Sequence, residues 1–197
     1  MKKSTILLSG FFFLSICQAN DFEGIWIAEK RTKGGLGSQI NIYSASGIDI
    51  TFGALWNFNY RFDHDTLVIL DSKNVPSKYN MYTLCRDTLY PVDQHLPSYL
   101  KLKGYLESTK PESKMDSIVG TWTFKHDEKT PAYYRFSKNL KGYLFVQMNR
   151  QKATYRLLDK SKIEMKYESG NMEVYTLDSS GSTLIAENKQ EFKKFEF

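Results

Sequence analysis

Cysteine is scarce in this chain, which limits how the fold can be held together. The 197 residues contain two cysteines, Cys17 and Cys85. Cys17 lies in an N-terminal segment that we expect to be removed, so the remaining protein has one cysteine and no internal disulfide. A chain of this length buries most of its surface on folding, and a hydrophobic core alone can stabilise it. Cys85 follows Leu84 in a β-like run, which predicts a buried apolar thiol.

A surplus of one charge sign is lacking as well. The formal net charge of the whole chain is +5. Without residues 1–19, which contain Lys2 and Lys3, 25 basic residues stand against 22 acidic ones, a balance of +3. The basic residues are scattered along the chain, whereas a nucleic-acid-binding protein concentrates them in a patch. We therefore expect no nucleic-acid partner.

Only one long hydrophobic run is present, and it lies at the N-terminus. Ile6–Ile16 is apolar except for two serines and a glycine, and it follows the basic start Met1–Lys3. Cys17–Ala19 then provides the small residues of a cleavage site, so residues 1–19 are typical of a secretory signal peptide. The run is shorter than the ~20 residues of a membrane-spanning helix. We predict cleavage after Ala19 and a periplasmic or secreted protein. A lipoprotein at Cys17 is the less favoured alternative, because Ile16 is not small.

A helical period is missing almost everywhere, and apolar residues alternate instead. Many short alternating runs, separated by turn residues at intervals of about 8–12 residues, predict an all-β antiparallel barrel or sandwich. At most one turn of helix is expected, at Pro111–Met115. A turn is predicted at Asn149–Arg150. The predicted strands are 39–43, 47–52, 56–62, 67–70, 79–85, 133–136, 143–148, 153–158, 163–167, 172–177, 183–186 and 191–197.

A Gly-x-Trp sequence occurs twice and indicates an internal repeat. Trp26 maps to Trp122 at an offset of 96, and Tyr60 maps to Tyr155 at an offset of 95. An offset that stays nearly constant over many strands favours duplication of one unit. The predicted organisation is a signal peptide at 1–19, β unit one at 20–106, a linker at 107–114 and β unit two at 115–197.

The two motifs, Gly24-Ile25-Trp26 and Gly120-Thr121-Trp122, resemble the first strand of lipocalins, and the short duplicated form resembles bacterial lipocalin-like domains. The resemblance implies two tandem antiparallel barrels, each closed at one end by its tryptophan, with glycine letting the chain approach the ring.

The sequence departs from the lipocalin pattern in two respects. Lipocalins usually stack an arginine on that tryptophan, whereas here Lys101 or Lys103 closes unit one and Lys193 or Lys194 closes unit two. Each unit is also about half the length of a ligand-carrying barrel. A small barrel has an interior barely wider than its own side chains, so we expect no roomy cavity.

Motifs for catalysis and metal binding are lacking. His64, His95 and His126 belong to no metal-ligand pattern. Asp63-His64-Asp65 is interpreted as a polar hairpin turn rather than a metal or acid–base cluster. No nucleophile motif is present, and no helix follows the glycine-rich segment Gly34–Gly37 to bind phosphate. We expect neither an enzyme nor a cofactor nor a metal.

An aromatic stripe on one predicted strand is the most informative feature for function. Trp56, Phe58 and Tyr60 alternate with polar residues, and the equivalent strand of unit two keeps only Tyr155. Alternating aromatics are typical of a β core, but they also bind apolar ligands. We take these three residues as the candidate ligand-binding face. The predicted function is an exported, non-enzymatic binding protein for a small apolar ligand or a protein partner.

Two alternative functions follow from the same sequence. An inhibitor or immunity protein against a secreted enzyme would present the loops Thr32–Ser38 and His126–Pro131, which follow the two Gly-x-Trp strands. A small outer-membrane barrel is suggested by the aromatic end Phe195–Phe197. A spanning strand needs ~9–11 residues, whereas the predicted strands are mostly shorter, so we expect no stable membrane insertion.

Overall fold

A computed structural model of the protein describes residues 21–71, 73–86, 88–93, 98–102 and 114–197. The predicted signal peptide, His95, Lys103 and most of the predicted linker lie outside these residues. The described chain is nearly all β and forms one antiparallel sheet, as the alternation predicts. The single helix of the described ranges, α1 (Lys114–Ile118), separates two sets of seven strands.

The strands follow one another closely along the chain. Those before α1 are β1 (Gly24–Ala28), β2 (Leu36–Ser44), β3 (Gly47–Asp63), β4 (Thr66–Leu70), β5 (Pro76–Cys85), β6 (Thr88–Pro91) and β7 (Tyr99–Lys101). Those after α1 are β8 (Gly120–Lys125), β9 (Pro131–Phe136), β10 (Lys141–Asp159), β11 (Lys162–Tyr167), β12 (Met172–Leu177), β13 (Thr183–Ala186) and β14 (Glu191–Phe195).

The sheet is closed, and one pairing crosses it. Each described strand pairs with its neighbours in sequence, and β1 pairs with β14 to complete the ring. An additional pairing joins β3 to β10 and divides the ring into two closed circuits of strands. The first circuit contains β1, β2, β3 and β10–β14, and the second contains β3–β10. Both circuits therefore combine strands from before and after α1.

The two shared strands are much longer than the sequence predicts. β3 has 17 residues and β10 has 19, whereas the alternation predicts two short strands in each place. The turn predicted at Asn149–Arg150 is wrong, because both residues lie inside β10 opposite β3. Across the strands, Arg150 donates to the Asp49 carboxylate at 2.9 and 2.7 Å. A bulge between Gln147 and Asn149 absorbs one extra residue.

Two glycines permit the close packing of these long strands. A Cβ atom added to Gly53 would collide with the carbonyl of Val146. One added to Gly142 would lie 2.6 Å from the Phe58 ring and against the carbonyl of Arg135. In the sequence Gly53 resembles the end of a strand. In the structure it lies inside β3, where only glycine leaves room for the carbonyl of Val146.

The shorter elements agree better with the prediction, with one exception. β12 and β13 begin and end at the predicted residues, and His64 lies in the turn between β3 and β4 with φ 54°. The prediction of a buried Cys85 is wrong, because this cysteine is exposed. Tyr82 and Leu84 face the core, so the period of two directs Cys85 outward.

Each circuit encloses its own hydrophobic cluster, and both halves of the chain contribute to each cluster. The first circuit contains Phe22, Trp26, Ala28, Ile40, Ile42, Ile48, Ala153, Tyr155, Ile163, Met165, Tyr175, Leu177, Leu184, Ala186 and Phe192. The second contains Tyr60, Leu67, Ile69, Tyr82, Leu89, Tyr99, Ile118, Trp122, Tyr134 and Phe136. Residues 20–106 and 115–197, the two units seen in the sequence, therefore share both cores.

Trp26 is completely buried in the first circuit. Its indole Nε1 donates to the carbonyl of Phe22 at 2.8 Å. The Lys194 ammonium lies 5.2 Å from the ring centroid and donates to the carbonyl of Asp21 at 2.9 Å. Gly24 lies two residues before Trp26 and has a φ of 140°, a conformation that favours glycine.

Trp122 occupies matching surroundings in the second circuit. Its Nε1 donates to the carbonyl of Ile118 at 2.7 Å, and Gly120 has φ 134°. Lys101 lies 5.8 Å from the ring centroid and donates to the carbonyl of Ser117 at 2.9 Å. The lysine on each tryptophan therefore comes from the other half of the chain. This exchange corrects both expectations, that Lys101 closes the unit that contains Trp26 and that Lys194 closes the unit that contains Trp122.

Candidate functional site

A groove of about 630 Å³ lies where β1 and β14 approach the paired strands β3 and β10. The circuit interiors hold large, fully buried side chains, including Trp26, Trp122 and Tyr60. The groove is thus an open space outside these packed clusters. Its lining residues are Ile27, Ala28, Glu29, Arg31, Asn57, Phe58, Asn59, Asp71, Ser137, Asn139, Lys141, Gly142, Tyr143, Lys193, Lys194, Phe195 and Glu196.

The apolar side of the groove rests on a third hydrophobic cluster, which we call the central cluster. It consists of Leu55, Tyr143 and Phe145, with Ile27, Tyr133 and Phe195 packed against them. The rings of Tyr143 and Phe195 meet edge to face, with 4.9 Å between their centroids. Residues of β1, β3, β9, β10 and β14 meet here, so the groove has a floor made by both halves of the chain.

Arg31 stands at the edge of this floor, just after β1. Its Nη1 donates to the carbonyl of Leu55 at 3.2 Å, and its Nη2 donates to Oδ1 of Asn57 at 3.1 Å. The stem lies against Gly37, where an added Cβ would be 3.3 Å from Cγ of Arg31. Within the described ranges, the buried Nε of Arg31 donates to no acceptor. The guanidinium is therefore fixed in position by two hydrogen bonds, and three of its five N–H groups, the buried Nε–H among them, have no acceptor among the described residues.

A second arginine lies behind the floor. Arg135 is 6% exposed; it donates to Oε1 of Gln39 at 2.6 Å, to Oγ1 of Thr121 at 3.2 Å and to the hydroxyl of Tyr143. The Tyr143 hydroxyl also donates to Gln39 at 2.9 Å. All of these acceptors are neutral, so among the described contacts no carboxylate balances the Arg135 charge. We call these four side chains the arginine network.

The titration behaviour of these groups follows from their burial. Burial lowers the pKa of the Arg31 guanidinium, and the nearby Tyr143 hydroxyl acts in the opposite direction. Burial raises the pKa of Tyr143 to about 12, although Arg135 and Arg31 favour the ionised phenolate. At neutral pH the Tyr143 hydroxyl is therefore a neutral phenol.

The rim of the groove carries both charge signs. Its lysines are partly engaged: Lys193 donates to Oγ1 of Thr183 at 2.9 Å, and Lys194 covers Trp26. Among its acids, Asp71 accepts the backbone amides of Lys73 and Val75, both at 2.8 Å. The remaining charged rim residues are Lys141, Glu29 and Glu196.

The structure places the three predicted ligand-binding residues in three different environments. Tyr60 is 1% exposed and donates its hydroxyl proton to the carbonyl of Ser137 at 2.7 Å, so it belongs to the second core. Phe58 is half-buried, packs against Phe136 and lines the groove. Trp56 is 48% exposed and lies outside the groove lining.

The sequence prediction includes Phe58 but misses the two arginines, Arg31 in the groove lining and Arg135 beside Tyr143. Arg31 follows the first strand in a segment that reads as a polar loop, and Arg135 lies among aromatics in a strand that alternates regularly. The only sequence signal is that Arg135 occupies an outward position between Tyr134 and Phe136, which face the core. Nothing in the sequence shows that this outward face becomes buried against β2.

A second, more polar pocket of about 510 Å³ is lined by residues of β10, β11 and β12 and by the segment between β13 and β14. Glu173 accepts hydrogen bonds there from Tyr167 at 2.6 Å and from Tyr175 at 2.8 Å. These bonds satisfy one carboxylate oxygen within the protein, which accounts for the burial of both phenols.

Two kinds of feature are absent from the described ranges of the chain. No group there brings together three histidine, cysteine or acidic side chains in a metal-binding arrangement. No helix in those ranges is long and apolar enough to cross a bilayer. The His64 side chain is 96% exposed and contacts Asp63 at 3.0 Å.

No protein-family model, curated protein or solved structure matches this chain.

Proposed function

We propose that this protein is an exported, non-enzymatic binding protein whose ligand occupies the groove over the central cluster. The observation that carries the proposal is the contrast between two spaces. The cores of both circuits hold fully buried large side chains, whereas the groove is open and has a volume of about 630 Å³. Ligand pockets usually measure about 300–1,000 Å³ and combine apolar walls with a few fixed polar groups.

The groove has both kinds of wall. Tyr143 and Phe195 form a rigid aromatic floor, with 4.9 Å between ring centroids. Arg31 is held at its edge by Leu55 and Asn57. Tyr143 is 1% exposed and supports Phe195 from within, so a small apolar ligand would gain stabilisation by burying the partly exposed side chains of Phe195, Phe58 and Ile27. The fixed guanidinium would orient it.

We also propose that each circuit is a small barrel of the lipocalin-like kind and that the chain arose by internal duplication. The support is the matching of Trp26 with Trp122. Each ring donates to a carbonyl four residues earlier, and each is covered by a lysine. In this scheme the duplicated units exchange strands. Export rests on the signal-peptide pattern of residues 1–19.

Binding of a neutral apolar probe tests the proposed function. The mature protein should bind N-phenyl-1-naphthylamine saturably, with one molecule per chain, as measured by fluorescence and native mass spectrometry. Glu29→Trp should weaken binding, because Glu29 lines the groove. The matched control, Lys30→Trp, changes an adjacent exposed residue outside the lining and should bind normally. Failure to saturate, or equal binding by both variants, would contradict the proposal.

A protein partner is the second candidate, favoured by an exposed apolar strip on β3. Phe52 and Trp56 are 39% and 48% exposed and point to the same side of the strand. Exposed aromatics that lie close together are enriched at protein interfaces. Trp56→Ala should then abolish pull-down of a partner from a secreted fraction without changing probe binding. Probe binding that depended on Trp56 would instead assign this strip to the small ligand.

A further inference from the structure

The groove combines an unpaired guanidinium with an aromatic floor, and this combination selects a ligand class. Arg31 makes two hydrogen bonds, one to a backbone carbonyl and one to an amide oxygen. Neither acceptor carries a charge, and its buried Nε donates to no acceptor in the described chain. A half-buried cation without a counterion is costly to maintain. An anionic ligand group beside it would remove that cost.

The arginine network adds a second positive charge under the same floor. Arg135 is buried among Gln39, Thr121 and Tyr143, all of which are neutral. Its guanidinium carbon lies 5.4 Å from the centroid of the Tyr143 ring, and Tyr143 is itself part of the groove lining. Arg31 and Arg135 are both close enough to Tyr143 to favour its ionised form, and both make the floor attractive to negative charge.

The rim acids oppose this attraction less than their number suggests. Asp71 already accepts two backbone amides in its own turn. Glu29 is exposed to solvent, where screening is strong. With Glu196, the lining has three acids against three lysines, Lys141, Lys193 and Lys194, in addition to Arg31. Among the charged residues that line the groove, Arg31 combines a fixed position and partial burial with one further N–H on each of Nη1 and Nη2 that has no acceptor in the described chain.

We propose that the groove binds an organic anion, a carboxylate or similar oxyanion attached to an aromatic or otherwise apolar body, with the oxyanion on the Nη atoms of Arg31 and the body over the partly exposed rings of Phe195 and Phe58. This inference rests on the proposed function and narrows its ligand from an apolar molecule to an amphiphilic anion. A planar oxyanion matches the guanidinium, which donates in a fixed fork.

Three probes that share one ring system test the charge preference. The mature protein is titrated calorimetrically with 2-naphthoate, 2-naphthamide and 2-naphthylmethylammonium at pH 7. The naphthoate should bind roughly tenfold to a hundredfold more tightly than the amide, the range expected for a hydrogen bond to a charged group. The ammonium probe should bind most weakly.

Two variants locate the preference at Arg31. Arg31→Gln should reduce the naphthoate affinity to that of the amide. Asn57→Asp should also remove the preference for naphthoate, because it places a carboxylate on Nη2 of Arg31 and neutralises the arginine without replacing it. This second variant tests the proposal if Arg31→Gln fails to fold. The control is Arg61→Gln, an exposed residue of β3 outside the groove lining, which should keep the full preference.

The outcomes separate the two proposals. Equal binding of naphthoate and amide, tighter binding of the ammonium, or a preference that survives Asn57→Asp would overturn the anion proposal and leave the apolar binding function standing. If none of the three probes binds and N-phenyl-1-naphthylamine also fails to bind, the proposed function itself is wrong.

Discussion

At the scale of single residues, the structure shows which aromatic side chains of β3 are buried and which are exposed, a difference that the sequence does not reveal. The alternation in β3 identifies Phe58 and Tyr60 as inward-facing aromatics, and both contact the second core. The same alternation cannot distinguish Tyr60, which is buried, from Trp56, which is 48% exposed. The distinction depends on which strand lies opposite each residue, and pairing over such sequence distances leaves no local pattern.

Turn carboxylates contribute stability that depends on pH, and Asp178 is the clearest case. The hydroxyl of Ser180 and the backbone amides of Thr183 and Ser182 donate to it, which lowers its pKa to about 2. An unfolded aspartate titrates near pH 3.9. Because the folded pKa is the lower one, the ionised carboxylate stabilises the fold above about pH 4, and this contribution is lost as the pH falls towards about 2.

We therefore expect Asp178→Asn to lower the free energy of unfolding at pH 7. The difference from the wild type should stay constant down to about pH 4 and shrink below it. Urea unfolding at a series of pH values measures this. Ser180→Ala is the control; it removes one donor and should give a smaller difference with the same pH dependence. A difference that is unchanged between about pH 4 and pH 2.5 would show that the charge is not responsible.

At the scale of elements, local patterns predict the short strands and fail at the long ones. β12 and β13 are bounded by turn residues and match the prediction. β3 and β10 contain Gly53 and the pair Asn149–Arg150, which look like breaks. Gly53 is required by close contact with Val146, and Arg150 is held in the strand by Asp49. Each of these contacts is made with the partner strand, so the sequence of one strand alone is not enough to predict that strand's length.

The central cluster should be a major source of stability, because it joins β10 to strands of both circuits. Phe145 is fully buried there, and Phe145→Ala should lower the free energy of unfolding by about 3–5 kcal/mol. Leu157→Ala, on the same strand but 59% exposed, should change it by less than about 0.5 kcal/mol. Urea denaturation of both variants provides the measurement. Equal effects would mean that the cluster does not hold the circuits together.

At the scale of the whole molecule, the sequence predicts two matching halves but not how they combine. Offsets near 95 relate the halves, and the surroundings of Trp26 and Trp122 correspond. The simplest arrangement from sequence is two barrels in tandem. The structure instead pairs β1 with β14 and β7 with β8. β7 and β14 are equivalent strands of the two halves, so β1 could pair with either one and keep the same alternation of apolar residues. The sequence pattern alone therefore cannot show which of the two strands pairs with β1.

The exchange of strands between halves also explains where the groove lies. Its floor needs Ile27 of β1, Tyr143 of β10 and Phe195 of β14 together. These residues meet because β1 and β14 pair and because β3 and β10 are shared. The candidate site could not be predicted from either half, since no half contains all of its walls.

Disulfide trapping tests this exchange most directly. In a Cys85→Ser background of the mature chain, cysteines replace Ile27 and Lys193, which are direct partners between β1 and β14. The control pair replaces Ile27 and Leu100. In the structure Leu100 pairs with Thr123, which follows Trp122 as Ile27 follows Trp26. If the first half closed on itself, Leu100 would therefore pair with Ile27. Oxidation is followed by the mass and free-thiol content of the monomer. The account predicts a disulfide in the Ile27–Lys193 pair and free thiols in the Ile27–Leu100 pair, and the reverse result would contradict it.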